Sequence, residues 1–524
     1  MPYLREHRAE LDVSGGRLQL DGQPLRLTQR AGKSPGGGAA TARGSEALKE
    51  ALGNVGDGTG GRRRLEALLL EHEEVWCGED LGRTTVVEHG IEVTDPRPVA
   101  CRGRRYNDAQ KAIIEAEVTA MLEKGVIRPS RSPYASGIVL VKKKTGEWRF
   151  CIDYRPLNAV TVRDEFPIPR IDDLLRAVRG SRWFVALDLR AGYWQVAMRE
   201  RDVPKTAFRT PTGLFEFVVM PFGLVNAPAT FQRMVEQLFG DMYWSGVLVY
   251  LDDILVHAPT LDEVLRLLGE VLRRLRAAGL KLRLSKCTFL PRQIEYLGHV
   301  IEEGRIAPQP KKVEAIRQLK APTDVRGLRQ LLGMVGYYRS FVPNYAGVTQ
   351  PLAKLMRSQV PYAWGEEQQH AFELVKASLV GAALCNDFSG AQLVVETDAS
   401  DYAVAGILSC DSHGKMTPIE YMSKTLSEVE VRWPTREKEA YAIVAALRKF
   451  DVYTRGRRTT VYTDHKSLEW MFQAQKGKIA RWAATLQEYD LKIIHKSGSQ
   501  IAHVDALSRL AKDEALVEDR MTCA

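Results

Sequence analysis

The 524-residue chain is 45% hydrophobic and 27% charged, ordinary proportions for a globular protein with room for roughly three domains. No uncharged run reaches the ~18 residues of a membrane span, MPYLREHRAELD lacks the apolar stretch of a secretory signal, and the seven cysteines (Cys77, Cys101, Cys151, Cys287, Cys385, Cys410, Cys523) show no metal-site spacing, which sets aside membrane, secreted and disulfide-framework proteins. The formal net charge of +9 favours a polyanionic partner, because Lys and Arg bound to phosphates release condensed counterions.

Residues 1–29 alternate in short segments broken at Gly15-Gly16 and Asp21-Gly22, which predicts one or two hairpins. Residues 30–64 are rich in Gly, Ala, Ser and Arg, and a disordered linker is expected there. LEALLLEHEEVW, from Leu65, has helical periodicity. The next helix is predicted over 107–124, capped by Asn107 and stopped at Gly125. IVLVKKKTGEWRFCIDY reads as a hairpin turning at Thr145-Gly146. There follow a helix (IDDLLRAV), a strand (WFVALDL), a hairpin centred on Pro211-Thr212-Gly213 and a helix (NAPATFQRMVEQLF). VLVYLDDILVHA is two apolar runs broken by an acidic pair, and LDEVLRLLGEVLRRLRAAG is an amphipathic helix ending at Gly279. Residues 311–320 and 324–358 are helical again. Residues 391–510 restart a β-rich pattern that includes the helix REKEAYAIVAALRKF, the strand RTTVYTD, a further helix and the strand DLKIIHK. Two mixed blocks joined by a helical region predict two α/β or α+β domains of catalytic size.

Three aspartates in the first block carry chemistry. Asp188 ends the apolar strand WFVALDL, and Asp252-Asp253 lie between VLVY and ILVHA, at the tip of an expected hairpin. An isolated Asp-Asp pair is more often a surface turn. Here β-branched and aromatic residues flank it on both sides, which places it in a core hairpin. Adjacent buried carboxylates repel each other and lose hydration. Two Mg²⁺ ions, which prefer hard oxygen ligands, would remove that cost and suit in-line attack of a hydroxyl on a phosphate.

These residues sit in segments that resemble a known family. YLDDILV (Tyr250 to Val256) and LDLRAGYWQV (Leu187 to Val196) look like the metal-binding motifs of reverse transcriptases. MPFGLVNAPATFQRM (Met220 to Met234), KKKTGEWRFCIDYRPLN (Lys142 to Asn158), GLKLRLSKCTF and EYLGHVI are similar, in order and spacing, to further motifs of gypsy-class (Metaviridae) LTR retrotransposon reverse transcriptases. The resemblance extends over about residues 65–510.

It implies a right-hand polymerase of fingers, palm and thumb, followed by an RNase H-like α/β domain. Asp188, Asp252 and Asp253 would hold two Mg²⁺ ions, with Mn²⁺ also compatible. Lys143 and Arg149 would meet the triphosphate, although the Lys142–Lys144 run also reads as a solvated hairpin surface. Tyr193 would sit under the sugar and exclude a 2′-OH, the other reading being a packed core aromatic. Phe222 would lie near the nucleotide, and Lys286 would protonate the leaving pyrophosphate. The helical region 311–358, with Arg326, Arg329 and Arg339, matches the thumb and could track a duplex backbone, or simply form a solvated face.

The C-terminal block offers Asp398, Glu439, Asp464 and Asp505 at strand and helix ends. Any one alone reads as a cap or surface acid. Together they point to a second two-metal site, for phosphodiester hydrolysis. TDASDYAVAGIL, YTDHKSL and HVDALSR resemble the RNase H domain of the same elements. Glu437 competes with Glu439, which is preferred because KEAYAIV fits the family pattern better, and Glu396 shares a strand face with Asp398 without being assigned a metal.

The expected layout is a remnant resembling a retropepsin tail over 1–29, a disordered linker over 30–64, fingers and palm over 65–301, thumb over 302–360, an RNase H-like domain over 361–510 and a tail over 511–524. Residues 1–29 lack the Asp-Thr/Ser-Gly triplet, so no protease activity is expected, and no integrase segment is expected downstream. The implied function is RNA- and DNA-directed DNA synthesis with RNase H activity. The expected partners are an RNA template, a DNA primer, RNA–DNA hybrid and dNTPs, with a dimer compatible and no membrane. The expected location is a cytoplasmic virus-like particle or the nucleus. The alternatives are a catalytically silent or domesticated nucleic-acid-binding relic and, less well matched, an RNA-dependent RNA polymerase.

Overall fold

A computed structural model of the chain describes residues 9–12, 17–20, 23–25, 46–53, 55, 60–78, 80–142, 146, 148–412, 414–474 and 476–497. Near the N-terminus the strands Ala9–Asp12, Arg17–Leu20 and Gln23–Leu25 pair antiparallel in chain order, as the alternating segments predict.

The first large body is organised on a four-stranded antiparallel sheet in the order Val247–Tyr250, Asp253–Ala258, Trp183–Asp188, Thr288–Phe289. Its strands are apolar on both faces because both are covered. On one face lie the helices Ala227–Phe239 and Leu261–Ala277. The second of these buries Val264, Leu267, Leu268, Val271, Leu272 and Leu275 along one stripe, the 3.6-residue period visible in the sequence. On the other face the helix Ile171–Ala177 and the turn after it insert Leu174 and Val178 against Phe184, Leu248 and Leu255. The helix Asp108–Glu123 starts at Asn107 with a capping box to Gln110 and stops at Gly125, whose φ of 62° is the left-handed geometry of a C-terminal stop. The fingers hairpin pairs Gly137–Lys142 with Trp148–Asp153.

Two expectations need correction. Part of the supposed linker is folded: residues 46–51 are helical, and Leu48, Leu52 and Val55 are buried in the core of this body. Leu48 lies on the helix and Leu52 and Val55 on the turn that follows it, an apolar cluster that the Gly-rich surroundings hide in an averaged composition. The helix Gly61–Glu71 also begins inside the span read as linker.

The expected 360/361 boundary also falls within a single core. The helix Glu366–Leu379 packs Phe372, Val375 and Leu379 with Leu328, Val335, Phe341 and Leu352 of the preceding helices. The strand Leu384–Cys385 then joins the sheet of Gln293–Tyr296, His299–Glu302 and Arg305–Pro308.

The last body is a five-stranded mixed sheet in the order Lys415–Thr425, Ala403–Ser412, Gln392–Ala399, Thr459–Thr463, Leu491–His495. The first three strands are antiparallel and the last two parallel. The helix Thr435–Lys449 covers this sheet, with Ala440, Ile443, Val444 and Leu447 in its core.

Leu52→Ala tests the ordered part of the supposed linker. Leu52 is 2% exposed, so the truncation should destabilise the first body by about 2–4 kcal/mol, read from urea unfolding. A change below about 0.5 kcal/mol would mean this segment is not part of the core.

Two candidate active sites

The palm site is built at one edge of the four-stranded sheet. Tyr250 and Asp253 close a two-residue hairpin loop of Leu251 and Asp252, and Asp253 lies directly opposite Asp188 on the next strand. Leu251 takes a φ of 55°, a left-handed geometry that costs a branched side chain on the order of 1 kcal/mol. The tight loop projects Asp252 inward. Gly192 makes room for it, since a Cβ there would lie 3.2 Å from Asp252 Oδ1.

Gln195 holds the segment after Asp188 in place. Fully buried, its amide donates to the carbonyls of Arg190 and Lys281, both at 2.9 Å, and accepts the Lys281 N–H at 2.7 Å. Nothing in the sequence singled this residue out. Arg283 N–H donates to the Asp188 carbonyl at 2.8 Å, and Lys286 Nζ stands 3.7 Å from Asp188 Oδ2.

The three carboxylates strain one another. Loss of hydration, then Asp253 and Asp188, push Asp252 up to about 6, against the opposing pull of Lys286. Asp253 meets solvent at the hairpin mouth, yet it too is raised, by desolvation beneath it and by Asp188. Asp252 Oδ1 is buried with no hydrogen-bond partner. Among the described residues no three His, Cys, Asp or Glu side chains close into a preformed ion cage. The acids instead line an open hairpin mouth, the arrangement expected where substrate phosphates and waters complete an ion's shell.

Tyr193 is buried beside this cluster, and burial followed by Asp252 pushes its phenol up to about 12. Its ring stacks on Phe222 at 5.1 Å and leans on Phe231 at 5.6 Å, while Phe222 itself is 44% exposed. Arg149 is exposed on the fingers hairpin opposite Val141. Lys143 lies outside the described residues.

The second cluster forms at the C-terminal ends of two parallel strands. Glu396 pairs with Tyr462, and extending that register by two residues sets Asp398 beside Asp464. Glu439, on the covering helix, is 3% exposed. Its Oε1 accepts the Ala399 N–H at 3.2 Å and its Oε2 is buried without a partner. Burial, then Asp398 and Asp464, push Glu439 up to about 9. Glu437, the competing candidate, points elsewhere and pairs with Lys478 at 2.7 Å. Glu396 is buried 3.7 Å from Lys496. Asp505 lies outside the described residues. The structure adds His495, which the sequence reading passed over: its Nε2 donates to the Asp464 carbonyl at 3.1 Å, and its backbone N–H donates to Glu469 at 2.7 Å.

Two acid clusters on two different folds, each with an orphaned carboxylate oxygen, are now placed. Residues 141–301 match the family described as reverse transcriptase (RNA-dependent DNA polymerase), and residues 389–489 match the RNase H-like domain found in reverse transcriptase. The chain joins a reverse transcriptase domain to an RNase H-like domain. Its relatives are retrotransposon Pol polyproteins. It is 36% identical to the Pol polyprotein of transposon 297 of Drosophila melanogaster, over 85% of this chain and 42% of the relative. It is 34% identical to the Tf2-3 polyprotein of Schizosaccharomyces pombe, over 76% of this chain and 30% of the relative. The chain thus spans less than half the length of these relatives.

A foamy viral protease–reverse transcriptase solved with double-stranded DNA superposes with a TM-score of 0.75 at 23% identity, covering 86% of this chain and 97% of that one. Another, solved with an RNA/DNA hybrid, gives 0.70 at 24%, covering 86% and 62%. The fold is therefore that of a polymerase followed by an RNase H-like domain, and reverse transcriptase and RNase H-like domains are generally dependent on divalent metal ions.

Asp252→Asn should stabilise the metal-free protein. The raised Asp252 carboxyl favours the fold while protonated, and that contribution fades as pH climbs from about 4 to about 6. In EDTA at pH 7 the Asn variant should be more stable to urea than the parent by about 2 kcal/mol, a gap that shrinks towards pH 4.5. A variant less stable than the parent at pH 7 would show that Asp252 is not under this electrostatic load.

Proposed function

We propose that this chain is an RNA- and DNA-directed DNA polymerase that also hydrolyses the RNA strand of RNA–DNA hybrids, in the service of retrotransposon replication. One observation carries the reading. Each domain holds a cluster of acids around a buried carboxylate oxygen that, among the described residues, no group satisfies. Such an oxygen costs about 1–3 kcal/mol unless something meets it, and a divalent cation fits the all-oxygen donor set.

Asp188, Asp252 and Asp253 would hold Mg²⁺ in the palm, and Asp398, Glu439, Asp464 and Asp505 would hold it in the second domain. When bound, such ions neutralise developing charge and lower the pKa of a coordinated hydroxyl or water. The chain's own residues do the rest. Tyr193, braced between Phe222 and Phe231, walls the sugar pocket where a 2′-OH would collide. Lys286, beside Asp188, is placed to give a proton to the departing pyrophosphate. Arg149, from the fingers hairpin, meets the triphosphate, a role the sequence resemblance also gives to Lys143. In the second domain Glu439 anchors on the Ala399 N–H and faces Asp398 and Asp464, so the acids converge from two strand ends and one helix. Support for the partners comes from the foamy viral proteins, which were solved with double-stranded DNA and with an RNA/DNA hybrid.

Primer extension on poly(rA)/oligo(dT) with Mg²⁺ and dNTPs tests the polymerase reading. The parent should extend the primer and Asp252→Asn should not, whereas Asp398→Asn should lose hybrid cleavage and keep synthesis. Loss of both activities in Asp398→Asn would contradict the division into two sites. Shortening the sugar wall with Tyr193→Val should raise incorporation of rNTPs relative to dNTPs by about tenfold or more, and an unchanged ratio would remove Tyr193 from that role.

A further inference from the structure

The helix Ile171–Ala177 has two working faces. Leu174 and the following Val178 are fully buried against Phe184, Leu248 and Leu255, on the strands that carry Asp188 and the Asp252-Asp253 tip. Arg176 and Arg179 leave this helix and its C-terminal turn in the other direction and reach the RNase H-like domain. Arg176 Nε donates to Tyr453 Oη at 3.1 Å, its Nη1 donates to Asp173 at 2.8 Å, and its Nη2 lies 4.0 Å from the buried carboxylate of Glu420. Glu420 is held in turn by Lys449 at 2.6 Å. The Arg179 guanidinium stacks 4.0 Å above Phe388 and 5.1 Å from the Tyr453 ring. Tyr453 lies shortly after the helix Thr435–Lys449, which presents Glu439. Two arginines at the C-terminal end of the palm helix therefore meet Tyr453 just beyond the Glu439 helix, Phe388, and Glu420 on the strand Lys415–Thr425.

Between the palm and the RNase H-like domain this junction is a clasp and not a shared core, whereas on the thumb side Tyr421 of the edge strand Lys415–Thr425 packs against the thumb core. The apolar clusters beneath the palm and within the RNase H-like domain are separate. Between them lies an open cavity of about 60 Å³, lined by Arg176, Arg179, Ser340, Asn386, Glu420 and Tyr453. That is room for a few waters, and Asn386 Nδ2 is buried there without a partner. A second grip comes from the thumb side, where Ala346 N–H donates to Ser423 Oγ at 2.9 Å on the edge strand Lys415–Thr425. Cation–π and charge-assisted contacts of this kind are individually modest, enough to fix an orientation and few enough to be undone together.

We infer that Arg176 and Arg179 are positioning residues that set where hybrid cleavage falls relative to the primer terminus. The inference rests on the function proposed above. A duplex is stiff over many times the size of this protein. If both sites sit on one rigid body, a primer end seated in the palm places the RNA strand at the second site at a fixed number of base pairs. Without the arginines the RNase H-like domain pivots about its thumb contact, and the fixed spacing is lost.

The test uses the full chain and the double variant Arg176→Ala/Arg179→Ala. The substrates are a labelled RNA annealed to a recessed DNA primer and a short blunt hybrid with no primer terminus to seat. On the recessed primer the parent should cut at one dominant position and the variant at a spread of positions. Primer extension and total cleavage of the blunt hybrid should be unchanged, a separation that a general loss of folding would not produce. Arg176→Lys/Arg179→Lys should restore the dominant cut in part.

Identical cut positions in parent and Ala variant would overturn the inference, as would a variant that loses primer extension while the parent keeps it. Should the double variant fail to fold, Tyr453→Phe removes only the Arg176 hydrogen bond, and an unbroadened cut pattern in it would count against the clasp. If the parent neither extends nor cleaves, the proposed function fails. Small-angle scattering then reads the clasp alone: a larger radius of gyration for the variant supports it, and an unchanged one overturns it.

Discussion

Carboxylates crowded together out of water repel one another, and two parts of this molecule are built to hold such a crowd. In the palm, a tight hairpin with a left-handed Leu251 forces Asp252 inward beside Asp253 and Asp188, and Gly192 leaves the space. In the RNase H-like domain, the ends of two parallel strands converge with a buried glutamate on the covering helix. Both arrangements are unfavourable on their own terms, as the raised pKa values of Asp252 and Glu439 record. They persist because the palm sheet is buried on both faces and the RNase H-like sheet is packed under its covering helix, which leaves the acids no route of retreat.

Rigidity in these scaffolds comes from different sources. The Asp188 segment is tied down by a fully satisfied buried amide, Gln195, that staples two chain segments. The Tyr193 wall is set by aromatic stacking, with Phe222 on its outer side and Phe231 on its inner side. Glu439 is set by one backbone N–H, which leaves its other oxygen directed at the neighbouring acids. The helix Ile171–Ala177 then carries the palm's rigidity to the second domain, with its apolar face in one body and its arginines in the other.

Much of this was legible in the sequence, for a physical reason. Strands buried on both faces read as continuous apolar runs, and an acid ending such a run is anomalous enough to be noticed, as at Asp188, Asp253, Asp398 and Asp464. What escaped notice depended on context. Leu48, Leu52 and Val55 form an apolar cluster on a short helix and its following turn inside a Gly-rich stretch, and composition alone reads that stretch as a linker. The helix Glu366–Leu379 has an ordinary amphipathic pattern that says nothing about which core receives it. Gln195 and His495 act through hydrogen bonds to backbone atoms far away in sequence, which no local pattern encodes. Arg176 and Arg179 look like any solvated helix face until their aromatic partners arrive from more than 200 residues away.

Anomalous diffraction from crystals of the full chain grown with Mn²⁺ tests most directly whether both crowds of acids exist to receive cations. Density should appear in two places, among Asp188, Asp252 and Asp253 and among Asp398, Glu439 and Asp464. Strong peaks elsewhere with neither cluster occupied would contradict the account.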